Sequence, residues 1–489
     1  MNTKKWYVIG IIALTLLTLA LRLSISFQTS TPSYDSYFSM LQISEIMKTG
    51  FPLYTAYGSN YLFSPIYYYL ITPLGFIMPL EWVMKLLPNL FITLIIPLIY
   101  LISYQLSRNR HVSFAAAFFG AFAPALFSTY LNDSRPISLA ILLLLLVFYS
   151  LISTKDKTSL TILSTILLVM ISPLAWLLLG SLIFYILILK LEEIKLDEKI
   201  VEISLFLFLF LFWYTLIIFK EAIFSHSTNI IWSAISPALL GSYFSKLTYL
   251  ALIYAVGVVP IFLGIVAIYN SLFEYRSKKI FLIMSLGLST ITAAILKLLP
   301  LNTSIILISL TFILLGANGL KYTYDYLKKT KFDYLTNPII ALIVILFLLT
   351  SFFPAIISGV TQKVGPRAEE LSACRWLRNN TPKNSVILAS PKEGFLIKDE
   401  AERTTLLDNN YLSTTNAEEI LSDIEKVYTS RFETPTIEVT DKYSINYVYL
   451  GPGAHEEYHK LGVLINSDCF KKVFDNNIVN IYEVECSVN

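Results

Sequence analysis

A succession of long apolar runs, separated by short polar or basic segments, dominates the chain. Runs that span or nearly span a bilayer cover residues 6–26, 85–105, 111–130, 136–153, 158–171, 174–189, 200–219, 247–273, 280–299, 303–319 and 336–358. The composition agrees, since 55% of the 489 residues are hydrophobic and only 15% are charged. A soluble domain carries about a quarter charged residues. The sequence therefore predicts a polytopic α-helical membrane protein with about 11 transmembrane helices.

The distribution of Lys and Arg predicts the orientation of these helices. A further apolar run, 62–80, contains Pro65, Pro73 and Pro79, which break helices, so its crossing of the membrane is ambiguous. With 62–80 along the outer interface, most Lys and Arg of the short loops fall on one side, which the positive-inside rule makes cytoplasmic, whereas a crossing would put most of them outside. We therefore expect 62–80 not to cross. Run 6–26 is too long for a signal-peptide core and is expected to stay as an anchor. The prediction is a multi-pass cell-membrane protein with its N-terminus inside and its C-terminus outside.

Two regions differ in composition, and we interpret them as two domains. Residues 1–358 form the transmembrane domain, with an outer loop at 27–84, and residues 359–489 form a soluble extracytoplasmic α/β domain. The tail has 14 basic against 20 acidic residues, whereas the preceding part has 23 against 14. Cys469 and Cys486 flank a predicted hairpin in the tail, and they form either a disulfide or two free thiols.

The predicted topology brings several charged residues to the outer side. Asp35 follows the first span, at a boundary where a carboxylate is partly desolvated. If helix packing brings Asp133 close to Asp35, the two acids could hold Mg²⁺ or Mn²⁺. Without a metal, Asp35 could act as a general base. Arg135 and Lys297 are candidates for binding phosphate oxygens.

Each of these residues also has a purely structural interpretation. Asp133 could form a local ion pair or begin the helix before Pro136, and Lys297 could extend its amine to the membrane interface. Weaker candidates for acceptor or loop contacts are Tyr37, Glu221, His226 and Glu393. The sequence has no P-loop and no Gly-rich dinucleotide turn, so no nucleotide cofactor is expected. Its basic residues are scattered, so no nucleic-acid partner is expected either.

Short motifs in this chain resemble those of one membrane family. Asp35-Ser36-Tyr37-Phe38, after a first span that contains Leu21-Arg22-Leu23, resembles the Asp-x-Tyr-Phe signature of C-type (GT-C) glycosyltransferases. Gly50-Phe51-Pro52 and the turn Asn132-Asp133 fit the same plan. In the tail, 386–397 and 403–410 are similar to the segment around the WWDYG motif of oligosaccharyltransferase catalytic subunits, the nearest branch.

The resemblance implies an enzyme that takes a sugar or glycan from a polyprenyl phosphate- or pyrophosphate-linked donor at the outer leaflet. Its acceptor would be a lipid-linked glycan or a protein. Asp35 would be the metal-binding or base carboxylate, and Asp133 the second acid. Ser390-Pro391-Lys392-Glu393-Gly394 replaces WWDYG, which weakens the case for sequon-directed N-glycosylation. Arg135 stands where another acid is expected. Lys297 could replace an arginine that the family often carries in its late spans.

Two other functions remain open from the sequence. A diverged, non-catalytic GT-C relative could act as a scaffold or as a glycan-binding subunit. A transporter is less favoured, because few charges lie inside the spans and no internal repeat is present.

Overall fold

The computed structural model describes residues 3–487, except for positions 30, 54, 57–58, 61–62, 155–156, 227–247, 332, 362–364, 411–413, 415 and 459–467. For residues 3–4, 55–56, 59–60, 221–222 and 225–226 it describes the backbone alone. Glu221 and the side chain of His226, both candidates from the sequence, therefore lie outside the side chains that the structure describes.

The membrane part is built of helices. They are α1 (Thr3–Ser26), α2 (Tyr34–Thr49), α3 (Ile66–Gly75), α4 (Leu80–Thr93), α5 (Ile95–Ser107), α6 (Arg110–Ala121), α7 (Pro124–Ser128), α8 (Pro136–Ile152), α9 (Thr158–Ile171), α10 (Ala175–Leu191), α11 (Glu198–His226), α12 (Tyr249–Val256), α13 (Val258–Phe273), α14 (Lys278–Ile295), α15 (Leu301–Lys329), α16 (Thr336–Phe347) and α17 (Phe353–Thr361). Strands β1 (Thr55–Ala56) and β2 (Ser59–Asn60) form a small ladder between α2 and α3.

Six helical stretches in the described residues are long and apolar enough to cross a membrane, or seven if the bent pair α12–α13 counts as one span. They are Lys5–Ser26, Leu80–Ser107, Glu198–Lys220, Lys278–Ile295, Leu301–Lys329 and Asp333–Thr361. Helices α8, α9 and α10 are also apolar but shorter. The protein is polytopic and helical as expected, but the count of eleven spans is not confirmed.

Proline and glycine explain where apolar runs differ from helices. The run 111–130 breaks between α6 and α7, because Pro124 disfavours helical backbone at the residue before it. The run 247–273 bends by 83° between α12 and α13, where Gly257 has a φ of 101° that suits glycine. The run 62–80 gives only the ten-residue α3, which agrees with a segment that does not cross.

Helix α15 is the centre of the bundle. Of its most apolar window, 78% is buried, against 17% for the stretch that contains α16 and α17. Gly319 permits a close crossing with α13, since a Cβ there would lie 1.9 Å from the Leu263 carbonyl oxygen. The peripheral helices expose large apolar side chains, as expected of surfaces that face lipid.

The tail carries a five-stranded sheet. Its strands are β3 (Val386–Leu388), β4 (Thr404–Thr405), β5 (Tyr447–Leu450), β6 (Phe470–Asp475) and β7 (Asn480–Val484), and its helices are α18 (Ala368–Asn380), α19 (Ala417–Thr429), α20 (Glu433–Lys442) and α21 (Pro452–Glu457). The order is β4-β3-β5-β7-β6, with β3 parallel to both β4 and β5. Strands β5, β7 and β6 pair antiparallel, so the predicted terminal hairpin is present.

Two details of the tail go beyond the sequence predictions. Cys469 and Cys486 form a disulfide, and Cys374 is a free, buried thiol. Asn416 precedes α19, where its backbone is left-handed and its side chain makes no capping hydrogen bond. Asparagine tolerates that conformation better than most residues, so its role here is conformational.

Helix α2 joins the tail to the membrane part. The Tyr34 hydroxyl donates to Glu370 of the tail over 2.6 Å, and the ring of Phe38 lies 4.9 Å from that of Phe395. Just before α2, Thr31 donates to the Pro366 carbonyl over 2.7 Å. Two hydrogen bonds and one contact between aromatic rings therefore connect the segment that carries Asp35 to the tail.

Candidate active site

Asp35, Asp133 and Arg135 form one charged cluster. Arg135 Nη1 lies 3.1 Å from Asp35 Oδ2, and Arg135 Nε lies 2.9 Å from each carboxylate oxygen of Asp133. Arg135 Nη2 also donates to Asp133. The two acids, 98 positions apart in the chain, thus share one guanidinium.

Asp35 is placed by the start of α2, where it lies in the first turn. A carboxylate is favoured there by the unpaired backbone N–H groups and the positive end of the helix dipole. Ser36, the next residue, ties this turn to the segment before α8. Its hydroxyl donates to the Asn132 carbonyl over 2.9 Å and accepts the Ser134 N–H over 2.9 Å. Residues on both sides of Asp133 are therefore fixed to α2.

Arg135 precedes α8 in extended backbone, and Pro136 occupies the first turn of that helix. The guanidinium lies 5.9 Å from the ring centre of Tyr130, and the Tyr130 hydroxyl is 2.9 Å from Thr303 Oγ1 at the start of α15. The side chain that bridges the acids is therefore positioned by both α8 and the central helix.

A buried arginine supports the segment that leads to Asp133. Arg22 is fully buried in α1. Its guanidinium donates to the carbonyls of Leu126 and Phe127 and, over 2.9 Å, to the carbonyl of Thr129. A buried cation needs such partners. We infer that Arg22 holds the end of α7 and the turn after it in place.

The tail contributes directly to the cluster. The Asn409 side-chain amide donates to Asp35 Oδ1 over 3.0 Å. Asp35 therefore accepts from a tail residue through one oxygen and faces Arg135 with the other. Its side chain keeps 30% exposure, against 12% for Asp133. Asp35 is thus the more exposed of the two acids.

Burial governs the electrostatics of Asp133. It raises the pKa of this carboxyl above the usual range, an effect that the Arg135 guanidinium opposes and the Asp35 carboxylate reinforces. Because both Asp133 oxygens face Arg135, Asp133 serves to hold the guanidinium.

The other sequence candidates make no described hydrogen bond or ion pair with Asp35, Asp133 or Arg135. Lys297 follows the last turn of α14 in left-handed backbone, and no described contact joins it to the two acids. Tyr37 is 2% exposed in the core. Burial raises its pKa, and Glu400 and Asp399 of the tail reinforce the shift. Its side chain therefore contributes packing in this structure and is not open to a substrate.

Glu393 is fully buried in the tail. Its Oε1 accepts the Gly453 N–H over 2.7 Å, while its Oε2 has no hydrogen-bond partner in the described part of the chain. Burial raises the pKa of Glu393 to about 8, against the effect of the Gly453 hydrogen bond. Glu393 is thus a buried acid whose surroundings favour its neutral form.

The described residues fit a divalent metal poorly. No third His, Cys, Asp or Glu among them joins the two acids, and a guanidinium already lies between these carboxylates. Mg²⁺ and Ca²⁺ need several oxygen ligands at about 2.0–2.6 Å. The Mg²⁺ or Mn²⁺ site stays a prediction.

A cavity of about 300 Å³ lies beside Ser128 and Thr129, at the end of α7. It is partly open and is bounded by α7, α12, α15 and α17, and its lining combines apolar side chains with a few hydroxyl and amide groups. The lining residues are Pro124, Ala125, Ser128, Thr129, Tyr254, Ala255, Asn302, Ile305, Pro354 and Ser358. Thr129 at its wall is adjacent in sequence to Tyr130, whose ring faces Arg135.

Sequence reasoning did not identify the roles of Ser36, Asn409 and Arg22. Only Arg22 carries a signal of its own, since an arginine inside an apolar span is costly unless it has partners. Ser36 and Asn409 are ordinary polar residues. Their roles depend on tertiary contacts over 96 and 374 positions of the chain.

The helical bundle and the small tail sheet form a fold similar to that of solved GT-C membrane glycosyltransferases. An oligosaccharyltransferase from Archaeoglobus fulgidus, solved with an inhibitory peptide and a dolichol-phosphate, matches with a TM-score of 0.73 at 13% identity, covering 91% of this chain and 69% of that one. ArnT from Cupriavidus metallidurans, bound to undecaprenyl phosphate, matches with a TM-score of 0.61 at 11% identity over 98% of both chains.

A third similar structure, the mycobacterial arabinofuranosyltransferase AftD, has a TM-score of 0.55 at 13% identity, over 97% of this chain and 41% of that one. No protein-family description and no curated protein matches by sequence. The chain has the GT-C fold, which confirms the resemblance that the first outer loop indicated.

Proposed function

We propose that the protein is an integral membrane glycosyltransferase that transfers a sugar or glycan from a polyprenyl phosphate- or pyrophosphate-linked donor to an acceptor on the extracytoplasmic face. The observation that carries this proposal is the cluster of Asp35, Asp133 and Arg135, placed by α2 and α8 in a GT-C fold. Similar folds have been solved with dolichol-phosphate and with undecaprenyl phosphate, which supports a polyprenyl carrier.

The charges of the cluster suggest different roles for Arg135 and Asp35. A guanidinium has more N–H donors than the contacts to the two acids use, so Arg135 can also bind a donor phosphate oxygen. Its side chain keeps 44% exposure. The cavity next to Thr129 could accommodate the first part of the polyprenyl chain, with the phosphate directed towards Arg135. Membrane lipids would surround the rest of that chain.

In the transfer step that we propose, the bond between the anomeric carbon and the phosphate oxygen breaks, and its electron pair leaves with the phosphate. The acceptor oxygen or nitrogen forms the new bond to that carbon. The acceptor proton passes to the Asp35 carboxylate, which Asn409 and Arg135 hold in orientation. General-base assistance of this kind typically contributes roughly a hundredfold or more.

The acceptor is a lipid-linked glycan or a protein recognised otherwise than through WWDYG. An Archaeoglobus fulgidus oligosaccharyltransferase has been solved with a tethered acceptor peptide containing an NVT sequon. In the present chain the segment that resembles the WWDYG region carries Glu393, which is buried and accepts a hydrogen bond from the Gly453 N–H. A buried side chain cannot contact an acceptor peptide, so we favour an acceptor other than the usual sequon.

The deciding experiment incubates the purified protein with a panel of polyprenyl-linked sugars and candidate acceptors and detects products by mass spectrometry. Asp35→Asn should reduce transfer at least about a hundredfold while the protein still folds and inserts. Glu45→Gln, later on the same helix, is the matched control and should leave transfer unchanged. Equal rates in Asp35→Asn and the unmutated protein would reject the assigned role.

One observation favours a second candidate function. Arg135 pairs with both acids, an arrangement that a non-catalytic glycan-binding or scaffold subunit could also keep for stability. That function predicts no turnover with any donor in the panel, but saturable binding of a lipid-linked glycan or of a partner protein. Binding without products would decide in its favour.

A further inference from the structure

The two outer acids are arranged around a cation that the protein itself supplies. Arg135 Nη1 lies 3.1 Å from Asp35, and Arg135 Nε lies 2.9 Å from both oxygens of Asp133. The guanidinium therefore stands between the two carboxylates. A divalent ion bridging the same acids would have to occupy that space.

A metal ion and this guanidinium exclude each other for reasons of distance and charge. A bound Mg²⁺ approaches carboxylate oxygens to about 2.0–2.1 Å, so it would displace the N–H groups that now contact those oxygens. The displaced guanidinium would remain close, since Arg135 is only two residues from Asp133, and like charges at short range repel. The described residues offer no further acid at the site to offset that repulsion.

The surrounding structure keeps Arg135 in this position. Its backbone is fixed by the start of α8 at Pro136. Its guanidinium lies against Tyr130, whose hydroxyl contacts Thr303, and such a cation–ring contact adds attraction. Asp133 is mostly buried and faces Arg135 with both oxygens, so losing this partner would leave a buried charge uncompensated.

We propose that Arg135 is the resident cation of this site and takes the place of a divalent metal, so that sugar transfer by this chain requires no metal. This inference rests on the proposed function and specifies it. A guanidinium stays charged at every physiological pH and offers paired N–H groups to phosphate oxygens. The positive charge that the leaving phosphate meets is then part of the chain.

The first test measures metal binding without any substrate. Purified protein is titrated with Mn²⁺ and the free ion is followed by electron paramagnetic resonance. The unmutated protein should show no saturable Mn²⁺ binding that depends on Asp35. Arg135→Asn, which replaces the cation with an oxygen ligand, should gain such binding, and Asp133→Asn in the Arg135→Asn background should lose it again.

The second test measures transfer in EDTA and in added Mn²⁺. We expect unchanged rates for the unmutated protein, and for Arg135→Asn a low rate that Mn²⁺ raises. Mn²⁺ binding to the unmutated protein that Asp35→Asn abolishes, or transfer that EDTA abolishes and Mn²⁺ restores, overturns the inference. Absence of transfer with every donor contradicts the proposed function instead, and the Mn²⁺ titration still decides whether Arg135 excludes a metal.

Discussion

Asp35 and Asp133 differ in their exposure and in the groups that their carboxylates contact. Asp35 is partly exposed, accepts a hydrogen bond from Asn409 of the tail and forms an ion pair with Arg135. Asp133 is mostly buried and forms its ion pair with Arg135. Two acids of the same type thus have different roles because their surroundings differ. The sequence could predict that Asp35 and Asp133 lie on one side of the membrane. It could not predict that Arg135 bridges them, since that depends on side-chain geometry.

Glu393 provides a prediction on pH. Its pKa is raised by burial to about 8, above the usual value of about 4.3 for a glutamate in an unfolded chain. Between these two pH values the folded state binds the extra proton, so the stability of the tail should fall as pH rises, by up to about 1.4 kcal/mol per pH unit. Below this window the group contributes no pH dependence.

The measurement is the unfolding temperature in detergent between pH 5 and pH 9, compared with Glu393→Gln. The amide cannot ionise, so the variant should lose this part of the pH dependence and gain stability over the unmutated protein at the alkaline end. Glu433→Gln, in the tail helix α20, is an exposed control and should change little. Parallel curves for Glu393→Gln and the unmutated protein would contradict the buried, neutral state of Glu393.

At the scale of elements, the closest packing in the membrane part is the crossing of α13 and α15. A methyl group at Gly319 would lie 1.9 Å from the Leu263 carbonyl oxygen, so Gly319→Ala must separate the two helices. We expect it to destabilise the protein by about 1–3 kcal/mol. Gly316→Ala, one turn earlier, meets its nearest atom at 3.5 Å and is the matched control. Comparing the two unfolding temperatures in detergent tests the crossing, which equal values would contradict.

Elements were predictable from the sequence where one local cause determines them. The prolines of 62–80 indicated an interrupted helix, and the structure gives only the ten-residue α3 there. The apolar runs 158–171 and 174–189 are separated by Ser172-Pro173, and the structure ends α9 and begins α10 on the two sides of this pair. The bend at Gly257 was not predicted, because glycine is tolerated in apolar helices and only its φ of 101° reveals the turn. Helices α20 and α21 of the tail were also missed.

At the scale of the whole molecule, the orientation in the membrane stays a prediction from the Lys and Arg distribution. The three cysteines of the chain suit a labelling test, because Cys374 is buried and the other two are bonded. Lys383→Cys in the tail and Lys195→Cys in the loop between α10 and α11 place a thiol at exposed positions.

A membrane-impermeant maleimide should label Lys383→Cys in intact cells, and Lys195→Cys only after permeabilisation. Labelling of Lys195→Cys alone in intact cells would place the tail on the cytoplasmic side and would move Asp35 away from the proposed outer site, because Asn409 of the tail contacts it. Labelling of both positions would leave the tail outside and would contradict the predicted cytoplasmic position of the loop between α10 and α11.

The hydrogen bond from Asn409 to Asp35 has a consequence for engineering and for divergence. Exchanging the tail between such proteins as a cassette would remove a hydrogen-bond partner from Asp35, even if each part folded well by itself. A stable hybrid would need the segment that begins α2 and the tail to come from the same protein. Substitutions around Asn409 and substitutions around Asp35 should therefore arise together.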